Sequence, residues 1–385
     1  MQLHNTELLY GVDSLLEVSS WLSLHAIHRI GILVSKTVMN SKSYHSFLQT
    51  LTIYQIAVAH VHCDPTDDEI ETIAAIFLQK PLDCIIGIGG GSVLDSAKAI
   101  AFMNKETKVF SLKKIKPTQK QRYLVCIPTT TGTGSEISQT VVVKDHKDHK
   151  KKRITLEKMK PDLIILEPTL TVSLPAHIVK AGVVDILAHA IESISNQSFL
   201  AQHDESIMKY ACNAITLVLQ STRGVLQHPK DIRARESLQW AAFYGGLCLR
   251  YDLNACHVLS GVLQDFDPSI DHGSAVGMLL YDILEINEPA CRSQYAQIEC
   301  FLRRQEMDEQ KLSLLFLKRI RSFLSDVSII RLEDLCRGDM CNLQHLLYER
   351  LPLANQLNPV VIERADIDRI LAQHIRNRVN ETSDS

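Results

Sequence analysis

Strand-like runs punctuate the first 175 residues of this chain and then stop. They are IGILVS at 30–35, IYQIAVAHVH at 53–62, DCIIGI at 83–88, the opening of LVCIPTTTGTGSEIS at 124–138, and DLIIL at 162–166. Between the second and third, DPTDDEIETIAAIFLQ at 64–79 opens with Asp and Pro and continues at helical spacing. Strands alternating with helices indicate a parallel-sheet α/β domain. After Pro175 the texture changes. Segments 177–195, 203–226, 230–250, 308–325 and 366–376 carry helical periodicity, and nothing in the remainder reads as a strand. The fold class expected is an N-terminal α/β domain over 1–175 followed by an all-helical domain over 176–385. A length of 385 residues fits two domains. The last residues, NETSDS, read as frayed.

Composition narrows the class. Apolar residues are 45% and charged residues 22%, as in soluble globular proteins. A net charge of −3 gives no general attraction to nucleic acid or to an anionic membrane. No apolar run is long enough to span a bilayer. The start, MQLHNTELLYGVDSLLEV, has no basic residues followed by an apolar stretch, so no signal peptide is expected. The ten cysteines form no C-x-x-C. Cys84, Cys126, Cys212 and Cys248 lie in apolar segments and read as reduced core thiols of a cytoplasmic protein. Cys336 and Cys341 are the closest pair, with no second pair to complete a zinc site.

Three stretches carry chemistry. In AGVVDILAHAIE at 181–192, Asp185 and His189 stand four apart on one helical face among Val184, Ile186, Leu187, Ala188 and Ile191. A carboxylate and an imidazole so placed reach one divalent ion together, or bond to each other in the core. The strand at 83–88 runs straight into GGGSVLDSAKAIAF, where glycines permit close backbone approach and a helix N-terminus offers free N–H groups to a phosphate. It is neither G-x-G-x-x-G nor a Walker loop. The hydroxyls and glycines of TTTGTGSE suit a loop that wraps a polar ligand. The run KDHKDHKKKR at 144–153 reads as a surface hairpin with one functional lysine at most. His60 and His62 read as neighbours on one face of a strand near a sheet edge. NACHVLSGVLQDFDPSIDHG at 254–273 adds His257 and His272.

GGGSVLDSAK, IPTTTGTGSE, DILAHAIES and the pair His257…His272-Gly273, in that order, resemble the iron-containing (group III) alcohol dehydrogenase family. The resemblance runs from YGVDSLL near the start to LNPVVIERADIDRIL near the end. It implies a dinucleotide-binding α/β domain, a helical domain and a cleft between them. It also implies one divalent metal, Fe2+ first and Zn2+ as the alternative, held by Asp185, His189, His257 and His272. For the cofactor, NAD or NADP, it implies a pyrophosphate loop at Gly90, Gly91 and Ser92, with Asp95 and Lys98 on the next helix turns. The hydroxyl loop corresponds to Thr129, Thr130 and Thr133, with Ser138 following, and the lysine at the nicotinamide ribose to Lys151. The partners implied are a small-molecule alcohol or aldehyde and further copies of the chain, as a homodimer or higher homo-oligomer.

Departures from the family pattern set further expectations. Many relatives carry a histidine four residues after the third metal ligand; here that position is Gly261. Val183 replaces a glycine, and Glu167-Pro168 replaces Asp-Pro. An acidic residue often binds the adenosine ribose after the second strand; here Lys36 follows Ser35, which favours NADP on charge grounds. The expected activity is an NAD(P)-dependent alcohol dehydrogenase, with the metal as Lewis acid at the alcohol or carbonyl oxygen. The alternatives are a glycerol dehydrogenase-like or dehydroquinate synthase-like enzyme, a nucleotide- and metal-binding protein with little turnover, and a structural metal site.

Overall fold

The computed structural model describes residues 6–115, 120–156, 158–327, 332 and 339–383. The chain divides into two compact units. One comprises Met1–Leu174 and Gly224–Gly246; the other comprises Pro175–Arg223 and Leu247–Ser385. Residues 224–246, whose helical periodicity resembles that of their neighbours, therefore cluster with the strand-bearing part of the chain.

The first unit is built on a six-stranded parallel sheet. Its strands are β1 (Glu7–Tyr10), β2 (Arg29–Val34), β3 (Gln55–His60), β4 (Cys84–Gly89), β5 (Tyr123–Pro128) and β8 (Leu163–Leu166). The spatial order is β1-β8-β5-β4-β2-β3. Strands β4 and β8 are buried along their whole length, and β5 is buried beyond Tyr123. That follows from their unbroken apolar sequences, since helices cover both faces of a parallel sheet. The intervening helices include α1 (Val18–Leu24), α2 (Lys36–Met39), α3 (Lys42–Thr50), α4 (Asp67–Phe77), α5 (Gly91–Phe102) and α6 (Leu112–Ile115). One core contains Phe77, Leu94, Ile100 and Phe102 from α4 and α5; the other contains Trp21, Leu22 and Phe47 from α1 and α3.

Register fixes where a ligand can sit. Val34 pairs with His60 and with Ile88, and Gly89 pairs with Pro128. The carboxyl ends of β2, β3, β4 and β5 therefore come together. Chain order turns back at β2, which has β3 on one side and β4 on the other. Open α/β sheets bind ligands beyond the strand ends at such a switch point. The basic run is indeed a hairpin: β6 (Thr140–Lys144) pairs antiparallel with β7 (Lys151–Thr155). The short strand β1, on the far edge of the sheet, was not visible in the sequence.

The second unit holds α7 (Ala176–Ile194), α8 (Gln197–Gln202), most of α9 (Glu205–Gln227), the end of α10 (Ile232–Cys248), α11 (Ala255–Phe266), α12 (His272–Arg303) and α13 (Glu309–Val327). Two more helices, Met340–Ala354 and Arg364–Ser383, follow among the described residues. Among the described residues, no helix is long and apolar enough to cross a membrane. Cys84, Cys126, Cys212 and Cys248 are buried and free, and Cys341 is free and exposed. Cys336 lies outside the described residues.

Candidate metal centre and cofactor loops

Helix α7 is apolar on almost every side. Val183, Val184, Ile186, Leu187 and Ala188 are all fully buried. Into this setting it carries three polar side chains, Asp185, His189 and Glu192, exposed by only 4%, 5% and 3%. Buried polar groups need partners, and these find them on α11 and at the start of α12. His257 lies in the first turn of α11. His272 opens α12, whose N-cap Asp271 accepts the Ser274 N–H at 2.9 Å and the Ser274 hydroxyl at 2.7 Å. Gly273 has a steric reason: a Cβ there would fall on the Ala181 carbonyl of α7. Only glycine lets α12 start close enough to bring His272 to Asp185.

The four side chains converge on one oxygen. Oδ1 of Asp185 lies 3.3 Å from His189 Nε2, 3.3 Å from His257 Nε2 and 3.6 Å from His272 Nε2. Ligand atoms of Asp185, His189 and His257 all lie within 4.8 Å of one another. Tetrahedral coordination with bonds of about 2.1 Å sets ligand atoms about 3.4 Å apart, so these separations and this donor set fit a divalent ion such as Fe2+ or Zn2+. The His189 and His257 rings stack at 5.1 Å. His272 differs from the others: its side chain is 41% exposed, which leaves the cluster open on that side.

Two residues given no role in the sequence reading orient the histidines. Glu192 accepts the Nδ1 proton of His257 at 2.8 Å and its backbone N–H at 3.1 Å. Gln264 Oε1 lies 3.2 Å from His272 Nδ1. For Glu192 a signal existed: it falls seven residues after Asp185 and three after His189, on the same helical face. For Gln264 there was none. Burial opposes ionisation of Asp185, but the imidazoles of His189, His272 and His257 outweigh it and hold the carboxyl well below the usual carboxylate range. Burial likewise opposes charge on His257, yet Glu192 and Asp185 push it up to about 9.

In the first unit the two loops singled out in the sequence come together. The Thr129 N–H bonds to Gly89 O at 3.0 Å. A Cβ added at Gly90 would meet Thr130 Cγ2 at 3.1 Å, and one at Gly91 would meet Thr133 Cγ2 at 3.1 Å. No side chain caps the N-terminus of α5, which leaves its first N–H groups available to a ligand. Ser92 Oγ accepts the Asp64 N–H at 3.0 Å, and Asp64 pairs with Lys151 at 3.0 Å. Asp64 thereby links Lys151 to Ser92 of the glycine loop.

Asp95, Lys98 and Ser138 lie beneath the loops. Lys98 is fully buried; it pairs with Asp95 at 2.9 Å and donates to Ser135 O at 2.9 Å, Ser138 Oγ at 3.2 Å and Thr140 O at 2.6 Å. Asp95 also accepts from the Ser135 hydroxyl and, at 2.8 Å, from the Val142 N–H. These bonds tie α5 to the hydroxyl loop and to β6. Ser35 directly follows β2 and caps α2 by accepting the Val38 N–H at 3.4 Å; Lys36 is exposed. The cluster of Asp67, Asp145 and His146 at the hairpin is already knit together: His146 Nδ1 lies 2.9 Å from Asp67, and Lys152 pairs with Asp145.

Comparison with known proteins identifies the family. The family profile described as "Iron-containing alcohol dehydrogenase" matches residues 5–168. "Fe-containing alcohol dehydrogenase family, C-terminal" matches residues 179–374. The chain is 30% identical over 272 residues to the probable alcohol dehydrogenase EutG of Escherichia coli strain K12, covering 68% of this chain and 67% of that one. It is 29% identical over 314 residues to an alcohol dehydrogenase of Thermococcus barophilus, covering 76% of each. Sulfoacetaldehyde reductase from Bifidobacterium kashiwanohense, solved in complex with NAD+, has the same fold, with a TM-score of 0.83 at 21% identity over 96% of this chain and 97% of that one.

Proposed function

The chain belongs to the iron-containing alcohol dehydrogenase family, and from that premise we propose how its own residues serve hydride transfer between a nicotinamide cofactor and an alcohol or aldehyde. The observation that carries the proposal is the approach of three imidazole nitrogens to Asp185 Oδ1 at 3.3, 3.3 and 3.6 Å. Asp185, His189, His257 and His272 hold the metal. Fe2+, or Zn2+ in its place, supplies a Lewis acid for the alcohol or carbonyl oxygen. The nicotinamide supplies the hydride chemistry. Openness on the His272 side favours a catalytic over a structural site, because structural sites are closed.

The remaining roles follow from position. Gly90, Gly91 and the α5 N-terminus take the pyrophosphate, helped by the Ser92 hydroxyl, and Lys151 serves the nicotinamide ribose. Thr130 and Thr133 line the same cradle. Thr129, Asp95, Lys98 and Ser138 hold the loop in shape. The enzyme works in the cytoplasm, as its buried free thiols suit, and as a homodimer or higher homo-oligomer. The test of the activity is loss of NADH or NADPH absorbance with a panel of aldehydes, with and without added Fe2+ or Zn2+. Turnover with at least one aldehyde is expected; none with any aldehyde or either cofactor would overturn the proposal.

Metal binding should depend on pH in a definite direction. The His257 imidazolium, raised from about 6.5 to about 9, contributes stability to the metal-free protein. That stability is fully present below about pH 6.5 and is lost as pH rises through about 9. Ion binding displaces this proton. Apparent metal affinity should therefore rise with pH, by up to about tenfold per unit, below about 9, and then level off. Chelator competition across that range measures it; a flat profile would contradict the coupling.

Gly261 lies one turn after His257 with nothing within 4 Å of a built Cβ. Gly261→His should fit there and add an ionisation near about 6.5 to the pH–rate profile. An unchanged profile would show that a histidine here reaches no reacting proton. At the end of β2, Lys36 cannot accept hydrogen bonds from ribose hydroxyls but can pair with a 2′-phosphate. Screened by solvent, such a contact is worth about 1 kcal/mol, or about several-fold in favour of NADP. Lys36→Asp should lower the NADP/NAD ratio of kcat/KM. A strong wild-type preference for NAD, or an unaltered ratio in the variant, would contradict this assignment.

A further inference from the structure

Glu192 lies beyond the two ligand positions of α7, and its carboxylate turns to the segment that carries His257. Oε2 accepts the Asn254 N–H at 3.2 Å and the His257 Nδ1 proton at 2.8 Å. Oε1 accepts the His257 N–H at 3.1 Å. Asn254 is the N-cap of α11 and makes no side-chain capping bond of its own. A carboxylate from α7 thus supplies the acceptors that an N-cap residue normally provides.

We propose that Glu192 is a positioning residue for the metal, setting both the tautomer of His257 and the location of the helix start that bears it. This rests on the metal assignment above. A neutral imidazole has one N–H and one lone pair. An ionised carboxylate only accepts, so the proton must sit on Nδ1, and the lone pair must sit on Nε2, which faces Asp185 at 3.3 Å. The Nδ1 atom of His272 faces an amide instead, at 3.2 Å. An amide can turn either its oxygen or its NH2 to the ring, so it does not dictate a tautomer. Glu192 also adds a second negative charge beside Asp185, and together the two balance a divalent ion. Removal of such outer partners typically lowers metal affinity about 10–100-fold.

The test uses the full chain, stripped of metal and titrated with Zn2+ and with Co2+ against a competing chelator. In Glu192→Gln the side chain keeps its shape, but one of its two ends becomes a donor. That end must face either Nδ1 and the Asn254 N–H together or the His257 N–H. Affinity for both ions should fall about 10–100-fold, the Co2+ absorption bands should shift, and the metal-free protein should unfold near the wild-type temperature. Glu192→Asp, one methylene shorter, should fall between Gln and wild type. If Glu192→Gln binds both ions as wild type does, the positioning role is overturned, even if the variant is less stable. If wild type itself binds neither ion, the metal assignment fails, and this proposal fails with it.

Discussion

Asp185→Ala is expected to yield a folded protein that holds no metal and turns over no substrate. Apparent binding free energies of about 10–16 kcal/mol shared among four ligands make each worth about 3 kcal/mol, or about a hundredfold in affinity. Asp185 should be worth more, because its oxygen is the point on which the other three converge. Loss of the Lewis acid removes several kcal/mol of transition-state stabilisation, so turnover should drop by about 10³-fold or more. Alanine suits the interior of a helix, and α7 is packed by its apolar residues. His272→Ala should behave alike with a smaller effect on stability, since that side chain is 41% exposed. Elemental analysis and circular dichroism decide the matter. Full metal content in either variant would mean that the ligand set is wrong.

Gly91→Val is expected to abolish cofactor binding while leaving metal content unchanged. A Cβ at this position already meets Thr133 Cγ2 at 3.1 Å and Thr133 Oγ1 at 3.2 Å. Two further methyl groups would fill the cradle and bar the pyrophosphate from the α5 N–H groups. Losing one or two charge-assisted hydrogen bonds, each worth about 1.5–3 kcal/mol, amounts to about 10²-fold or more in affinity. The four ligand side chains all lie in the other unit, so metal analysis should match wild type. Calorimetric titration with both cofactors measures the loss. Wild-type affinity in this variant would reduce the glycine loop to a turn.

The sequence showed some of this clearly and some not at all. Strand β4, the glycines after it and α5 were legible because three local signals agreed: an unbroken apolar run, glycine punctuation and helical spacing. Metal-ligand candidates on α7 were legible because Asp185 and His189 share a helical face. Strand β1 was not, because four residues with exposed ends carry almost no pattern. Helix α12 was missed although it spans 32 residues, because Pro289 interrupts the periodicity from within. Placement of residues 224–246 with the first unit is a long-range fact. Gly246 lies directly against Gly134 of the hydroxyl loop, a contact that no local pattern announces. The partners of Lys98 were also hidden: only the family resemblance pointed to it, and its ammonium is engaged by Asp95, Ser135, Ser138 and Thr140.

The central claim is that this chain is a dehydrogenase whose turnover depends on one divalent ion held by Asp185, His189, His257 and His272. Its most direct test is to titrate metal-free protein with Fe2+ under anaerobic conditions, and with Zn2+ in parallel, while following NAD(P)H oxidation by an accepted aldehyde. Activity should be absent at the start, rise in proportion to added ion, and level off at one ion per chain. Full activity in the stripped protein, or an activity that ignores the bound ion altogether, would contradict the claim.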